Sequence, residues 1–222
     1  MVARRHLDHA QRQVVAALGG TAQLLVIERA AGAGKTTTLA AARDMLEMQD
    51  RQLMVVTPPL KAAQVAGDQL GTAAFTGAWL AHQHGFRWDE DGHWSREPVQ
   101  RHDLPALARL LSGDLLLVDE AGMLDQDVAR ALLTIADETK ARIAFVGDRH
   151  QLPAVGRGGV LEHAARWAPP ETCLALETVH RFADPTYADL TLRMRSGQRP
   201  GEVFDKLHAQ GLIQIHATEV ER

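Results

Sequence analysis

Cysteine is almost absent: Cys173 is the only one in 222 residues. No internal disulfide can form, and a reducing compartment, the cytoplasm, is the expected setting. Within "TCLALE" this cysteine reads as a small buried apolar side chain. Long apolar runs are missing too. No stretch approaches the roughly 20 residues needed to cross a bilayer, so no membrane insertion is expected. The start "MVARRHLDHAQRQ" is basic, but no apolar segment or small-residue cleavage site follows it, and no targeting signal is expected. Excess positive charge is also lacking. Twenty-four Lys and Arg stand against 28 Asp and Glu, a net charge of −4. That balance argues against a broad basic face that coats nucleic acid, while leaving room for a narrow channel lined locally by Lys and Arg. Repeats and low-complexity segments are absent. What remains is ordinary globular material, 45% apolar and 23% charged. The length suits one sizeable α/β domain, or one domain plus part of another.

Short apolar runs alternate with helix-like stretches, the pattern of βαβ units and a parallel sheet. The strand candidates are "QLLVIE" (23–28), "LMVVT" (53–57), "DLLLVDE" (114–120), "RIAFVGD" (142–148) and "CLALE" (173–177). Most are nearly continuous in apolar residues, as strands covered on both faces should be. Helices are expected at 35–48, 61–70 and 126–139. The segment "HGFRWDEDGHWSREP" (84–98) breaks the rhythm. Its aromatic residues flank an Asp-Gly turn signal, which suggests a β-hairpin inserted into the core; a decorated surface loop is the alternative. Beyond Arg181 the alternation weakens to a helix near 184–196, the loop "GQRPG", a helix to about Gln210 and "GLIQIH" as a last strand.

The stretch "IERAAGAGKTTTLAAA" (27–42) ends one strand candidate and opens a helix. A small-residue loop before a helix can turn successive backbone N–H groups onto a phosphate. A lysine then reaches the outer phosphates, and the following hydroxyl ligates Mg²⁺. Gly32, Ala33, Gly34, Lys35, Thr36 and Thr37 occupy those places. The full pattern has a glycine where Arg29 stands. If that position required positive φ, the arginine would cost on the order of 1–3 kcal/mol without removing a phosphate donor. A glycine turn beside a surface lysine is the plainer alternative. Against it stands "LLLVDEAGM", an apolar strand whose tip carries two carboxylates, where ligands of open α/β sheets gather. Asp119 is placed to hold the metal shell and Glu120 to polarise an attacking water.

Further motifs carry a resemblance. "FVGDRHQLPAVGRGG" resembles motif III of superfamily 1 DNA helicases, "LETVHRF" motif IV, "VVTPPLKAAQVA" motif Ia and "LDHAQRQVVAAL" the glutamine motif. With the phosphate loop and the acidic strand tip, six motifs stand in family order over residues 7 to 182. The chain most resembles the RecD-like branch, in particular the helicase part of conjugative relaxase-helicases of the TraI/TrwC kind, and only its first RecA-like lobe. The resemblance implies a RecA-like P-loop NTPase of α/β class: a mostly parallel sheet, helices on both faces and a small hairpin insertion. The lobe would span 1–180, with 181–222 beginning an incomplete second lobe. ATP and Mg²⁺ are the implied cofactors and single-stranded DNA the implied partner. The same polypeptide is expected to carry further domains: the second lobe, with a relaxase domain as another candidate.

By the same resemblance Gln11 contacts adenine, Gln151 senses the γ-phosphate and Arg181 is an arginine finger. Thr57, Pro58, Lys61 and Thr76 fall where such helicases touch the DNA backbone. Each has a plainer reading. Gln11 is also an ordinary polar helix residue, Gln151 a turn former after a strand, and Arg181 a surface cation. Lys61 taken alone is a solvated helix lysine. His82, His84 and His93 lack the spacing and cysteine partners of a metal site. Motifs V and VI are missing after Arg181, and the sole tyrosine, Tyr187, lies downstream of the motifs. Two other functions therefore stand beside an ATPase of helicase type. One is a nucleotide-dependent DNA- or protein-binding module without effective turnover; the other is a different P-loop enzyme such as a small-molecule kinase.

Overall fold

The computed structural model describes residues 6–29, 34–89, 91–149, 157–176 and 185–213. Along the chain, α1 (His9–Gly19) leads into β1 (Leu24–Arg29), α2 (Lys35–Glu47), β2 (Leu53–Thr57), α3 (Leu60–Leu70) and β3 (Ala74–Thr76). Then come α4 (Gly77–Gln83), β4 (Phe86–Trp88), β5 (Trp94–Arg96), β6 (Leu115–Asp119), α5 (Gln126–Thr139) and β7 (Arg142–Gly147). The remainder is α6 (Val160–Trp167), β8 (Cys173–Leu176), α7 (Pro185–Ser196) and α8 (Pro200–Ala209).

Six strands form one sheet in the order β3-β2-β6-β7-β1-β8, and every adjacent pair is parallel. All residues of β2, β6 and β7 are buried, the physical counterpart of their unbroken apolar sequences. The period of two divides each strand between two cores. Leu116 and Val118 join Met54, Phe145 and the inner residues of α4, α5 and α6. Leu115 and Leu117 join Leu25, Ile27, Val55 and the inner residues of α1, α2 and α3. The sheet is thus a doubly covered RecA-like layer, as the sequence leads one to expect. Each fully buried leucine contributes about 1.5–3 kcal/mol relative to leaving it exposed.

Because the strands are parallel, the edge where they begin and the edge where they end differ. At the starting edge Arg142 is 2% exposed and donates to the carbonyls of Ala22 (2.8 Å), Leu18 (2.7 Å) and Ala17 (2.9 Å). Burial, helped by the nearby charge of Arg51, lowers its pKa to about 10. Arg51 donates to the carbonyls of Gly20 (3.0 Å) and Gly113 (2.5 Å). Asp114 uses both carboxylate oxygens, accepting from Gln52 N and Leu111 N at 2.8 Å each. The two arginines tie the end of α1 to the floor of the sheet, and Asp114 ties the start of β6 to the segments entering it and β2.

The 84–98 segment is a hairpin, with β4 and β5 antiparallel and Trp88 opposite Trp94. Gly92, in the turn, has φ 80°. Gly85 is needed for another reason: a Cβ there would lie 2.2 Å from the Glu97 carbonyl. Arg96 stacks 4.6 Å over Phe86 and grips Glu138 of α5 through both terminal nitrogens, at 2.5 and 2.7 Å. The hairpin is therefore pinned to the α5 side of the sheet. Beyond β8, α7 and α8 close a small core of their own, Leu190, Val203 and Leu207 with Tyr187 and Ile213. Residues 211–213 form no strand, and the rest of "GLIQIH" lies outside the described residues.

Candidate functional site

The strand ends of β1, β6 and β7 bring the chemistry-bearing residues together. Gly34, in the left-handed region at φ 72°, turns the chain into α2, and Lys35 is the first residue of that helix. Its Nζ lies 2.6 Å from Asp119 Oδ2 and 3.8 Å from Glu120 Oε1. Two residues 84 apart in sequence thus meet at the tips of β1 and β6. A helix N-terminus beside a lysine is an anion site, because the helix dipole and the free N–H groups of its first turn both attract negative charge.

Arg29, the last residue of β1, also reaches this point. Its Nη2 donates to Glu120 Oε1 and lies 4.0 Å from Asp119 Oδ1. Asp119 is 2% and Arg29 7% exposed. The pairing is nevertheless incomplete: Arg29 Nε and Asp119 Oδ1 are buried without a hydrogen-bond partner among the described residues. Each such atom costs about 1–3 kcal/mol. Glu120 adds strain, holding φ 55° although it is not glycine. Strain and unpaired charge gathered at the C-terminal edge of a parallel sheet are the marks of a ligand site.

Glycine shapes the neighbouring strand tip. A Cβ on Gly122 would sit 2.6 Å from the Asp148 carbonyl, and one on Gly147 would sit 2.9 Å from Gly122 N. "DEAGM" and "VGD" therefore touch backbone to backbone. Next to them Arg149 Nε lies 2.9 Å from Glu28 Oε1.

The other sequence candidates fall as follows. Thr36 donates its hydroxyl to Gln69 Oε1 at 3.0 Å, and Thr37 is exposed. Gln11 is buried in the first turn of α1, where it completes a capping box: its Oε1 accepts from Asp8 N at 3.0 Å and its N donates to Asp8 Oδ1 at 2.8 Å. Thr57 ends β2 fully buried, its hydroxyl donating to the Pro59 carbonyl at 2.9 Å. Thr76, its register partner on β3, accepts from Trp79 N at 3.0 Å and caps α4. Pro58 is half-buried and Lys61 exposed on the same edge. Gly32, Ala33, Gln151 and Arg181 lie outside the described residues. The histidines do not gather. His84 is buried, its Nε2 3.0 Å from the Ala108 carbonyl, and burial lowers its pKa below 6.5; His82 is exposed, and His93 pairs with Asp89 on the hairpin.

The donor set suits a hard divalent cation. Asp119 Oδ1 is a buried carboxylate oxygen with no partner, and the Thr36 hydroxyl is a second oxygen on the adjoining helix. The Arg29–Glu120 contact is the feature of this cluster that the sequence pattern hides. Its one signal is the arginine in a glycine's place, which sequence alone presents as backbone strain.

Comparisons with known proteins agree with this geometry. A family described as "AAA domain" (AAA_30) matches residues 6–218. The ATP-dependent RecD2 DNA helicase of Deinococcus radiodurans is 33% identical over 183 residues, covering 82% of this chain and 22% of the relative. The probable conjugal transfer protein TraA of Sinorhizobium fredii is 26% identical over 217 residues, 97% of this chain and 17% of that protein. Among solved structures, a Pif1 helicase described in a study of unwinding at forked double-stranded DNA superposes with a TM-score of 0.64. It shares 19% identity and covers 92% of this chain and 51% of that one. The resemblance to RecD-like superfamily 1 helicases read from the motifs is thus borne out, and so is the α/β P-loop fold. The chain spans about a fifth of the length of these curated relatives.

Proposed function

Because the chain belongs to the AAA-domain family AAA_30, we propose that it is the ATP-binding motor lobe of a DNA helicase. In the full-length protein it would couple ATP hydrolysis to translocation along single-stranded DNA, in conjugative transfer. The observation that carries this reading is Lys35 seated 2.6 Å from Asp119, with Glu120 beside it, at the N-terminus of α2.

In this reading Gly32, Ala33, Gly34 and Thr37 line the phosphate cradle and Lys35 leaves Asp119 for the outer phosphates. Thr36 and Asp119 hold Mg²⁺, which neutralises phosphate charge when bound. Glu120 orients the attacking water, Gln151 contacts the γ-phosphate and Arg181 supplies positive charge to the transition state. Gln11 serves adenine without abandoning its cap, since an amide oxygen has two lone pairs and its nitrogen two donors. Thr57, Pro58, Lys61 and Thr76 share one sheet edge and contact the DNA backbone. Residues 181–222 begin a second lobe, a division that the separate core of α7 and α8 supports. The rest of that lobe and a relaxase domain would belong to the same polypeptide, working in the cytoplasm.

The test is titration of Mg-ATP against the wild-type chain and Lys35→Ala. Loss of a charge-assisted phosphate contact should cost roughly 1.5–3 kcal/mol, about tenfold or more in affinity. Equal affinities would sink the assignment. A second reading, a nucleotide-dependent binding module without effective turnover, is favoured by one observation: Arg29 occupies Glu120. Steady-state ATPase with and without single-stranded DNA separates the two in the full-length protein.

A further inference from the structure

Resting on that nucleotide reading, we infer that Arg29 is a built-in cation that competes with the nucleotide's divalent metal for the Asp119–Glu120 pair. Two carboxylates and two cations meet here, so the acidic pair is already balanced before any ligand arrives. The two cations differ in their freedom. Lys35 stands at the start of α2, its side chain 21% exposed, on a flexible stem that can swing to a phosphate. Arg29 belongs to the sheet itself, in register with Leu176 of β8, and its side chain is 8% exposed.

When Lys35 departs to the phosphates, Arg29 stays. A divalent cation then meets a carboxylate pair with half its charge already compensated, and with one Glu120 oxygen engaged. The buried atoms left without partners, Asp119 Oδ1 and Arg29 Nε, argue against a mere structural ion pair, which would satisfy its own donors and acceptors. Asp119 Oδ1 is thereby left as a buried acceptor for a cation, beside a guanidinium that it does not fully pair with. Arg29 therefore raises the metal concentration needed for tight nucleotide binding. It makes the site responsive to the free divalent cation level rather than saturated by it.

The experiment titrates Mg²⁺ into the chain at a fixed concentration of fluorescent ADP, for wild type, Arg29→Met, Arg29→Gly and Arg29→Lys. Mn²⁺ binding without nucleotide is followed in parallel by electron paramagnetic resonance. A unit charge about 4 Å from the metal's carboxylate should shift the Mg²⁺ midpoint at least about tenfold. The midpoint is expected to fall by that factor in Arg29→Met and Arg29→Gly and to stay near wild type in Arg29→Lys, with Mn²⁺ affinity rising in the same two variants. Unchanged midpoints would overturn the inference while leaving nucleotide binding intact. So would weaker ADP binding at every Mg²⁺ concentration in both neutral variants. Wild type that binds no ADP at any Mg²⁺ concentration would instead strike the nucleotide reading itself, and the inference with it. If Arg29→Met does not fold, Arg29→Gly carries the same comparison, since glycine is what the loop pattern places there.

Discussion

The two edges of the central sheet bury the same kinds of charged group and treat them oppositely. At the starting edge Arg142, Arg51 and Asp114 spend their donors and acceptors on backbone groups of α1 and the adjoining loops. At the ending edge Arg29, Asp119 and Glu120 face one another, leave two buried atoms unpaired and hold a strained backbone. Satisfied polar burial fixes one arrangement; unsatisfied polar burial is a standing cost that an incoming partner can relieve. The lower edge builds the fold, and the upper edge withholds stability in favour of a site.

Breaking the lower edge should have the largest effect. Arg142→Met would take a donor from the buried Leu18 carbonyl and from the half-buried carbonyls of Ala22 and Ala17, the last of which keeps Gly20 N. It should cost about 2–3 kcal/mol of unfolding free energy, read by urea denaturation, while nucleotide affinity in the folded fraction stays within a few-fold. A comparable loss of nucleotide binding would show that α1 is positioned for the site by this clamp. Lys140→Gly comes next. Lys140 caps α5 with φ 58°, a strained conformation like that of Glu120 but away from the acidic pair. Glycine there should raise stability by up to about 1 kcal/mol with nucleotide binding unchanged, showing that the strain of a side chain at positive φ outside the upper edge can be relieved without harm to the site.

The smallest effect concerns pH. His84 is buried and its pKa lowered, chiefly by burial, with the Arg96 charge adding to it and Ala108 and Glu138 opposing. The unfolded chain therefore takes up the proton first as pH falls. Stability is complete above about 6.5 and declines as pH drops through the lowered folded value. His84→Gln should flatten that decline in a series of urea melts between pH 7 and 5. An unaltered slope would assign the acid sensitivity in that range to a group other than His84.

Much of the fold is readable residue by residue. β2 has the bounds its apolar run suggests, and α5 those of its periodicity, because continuous burial and amphipathic spacing leave direct marks. β3 escapes notice because three half-buried residues leave none. Of the site, Lys35, Asp119 and Glu120 are legible because strand, glycine loop and helix fix where their side chains can go. Arg29 on Glu120 is not, since 91 residues separate them and side-chain direction at a strand end is a tertiary outcome. Gln11 teaches the opposite lesson. Asp8 and Gln11, three residues apart, are a local capping signature visible in the sequence, yet the resemblance to a glutamine motif draws attention to adenine first.

The glycine contact between the tips of β6 and β7 has a mechanical side. With the Gly122 Cα against the Asp148 carbonyl and no side chain between them, the joint has no slack to absorb a displacement. In close-packed material such a joint transmits motion undiminished. Any shift of the acidic turn toward β7 by a fraction of an ångström must press on the Asp148 backbone. A methyl group added at Gly122 would act as a wedge driven into that bearing, prising the two strand ends apart.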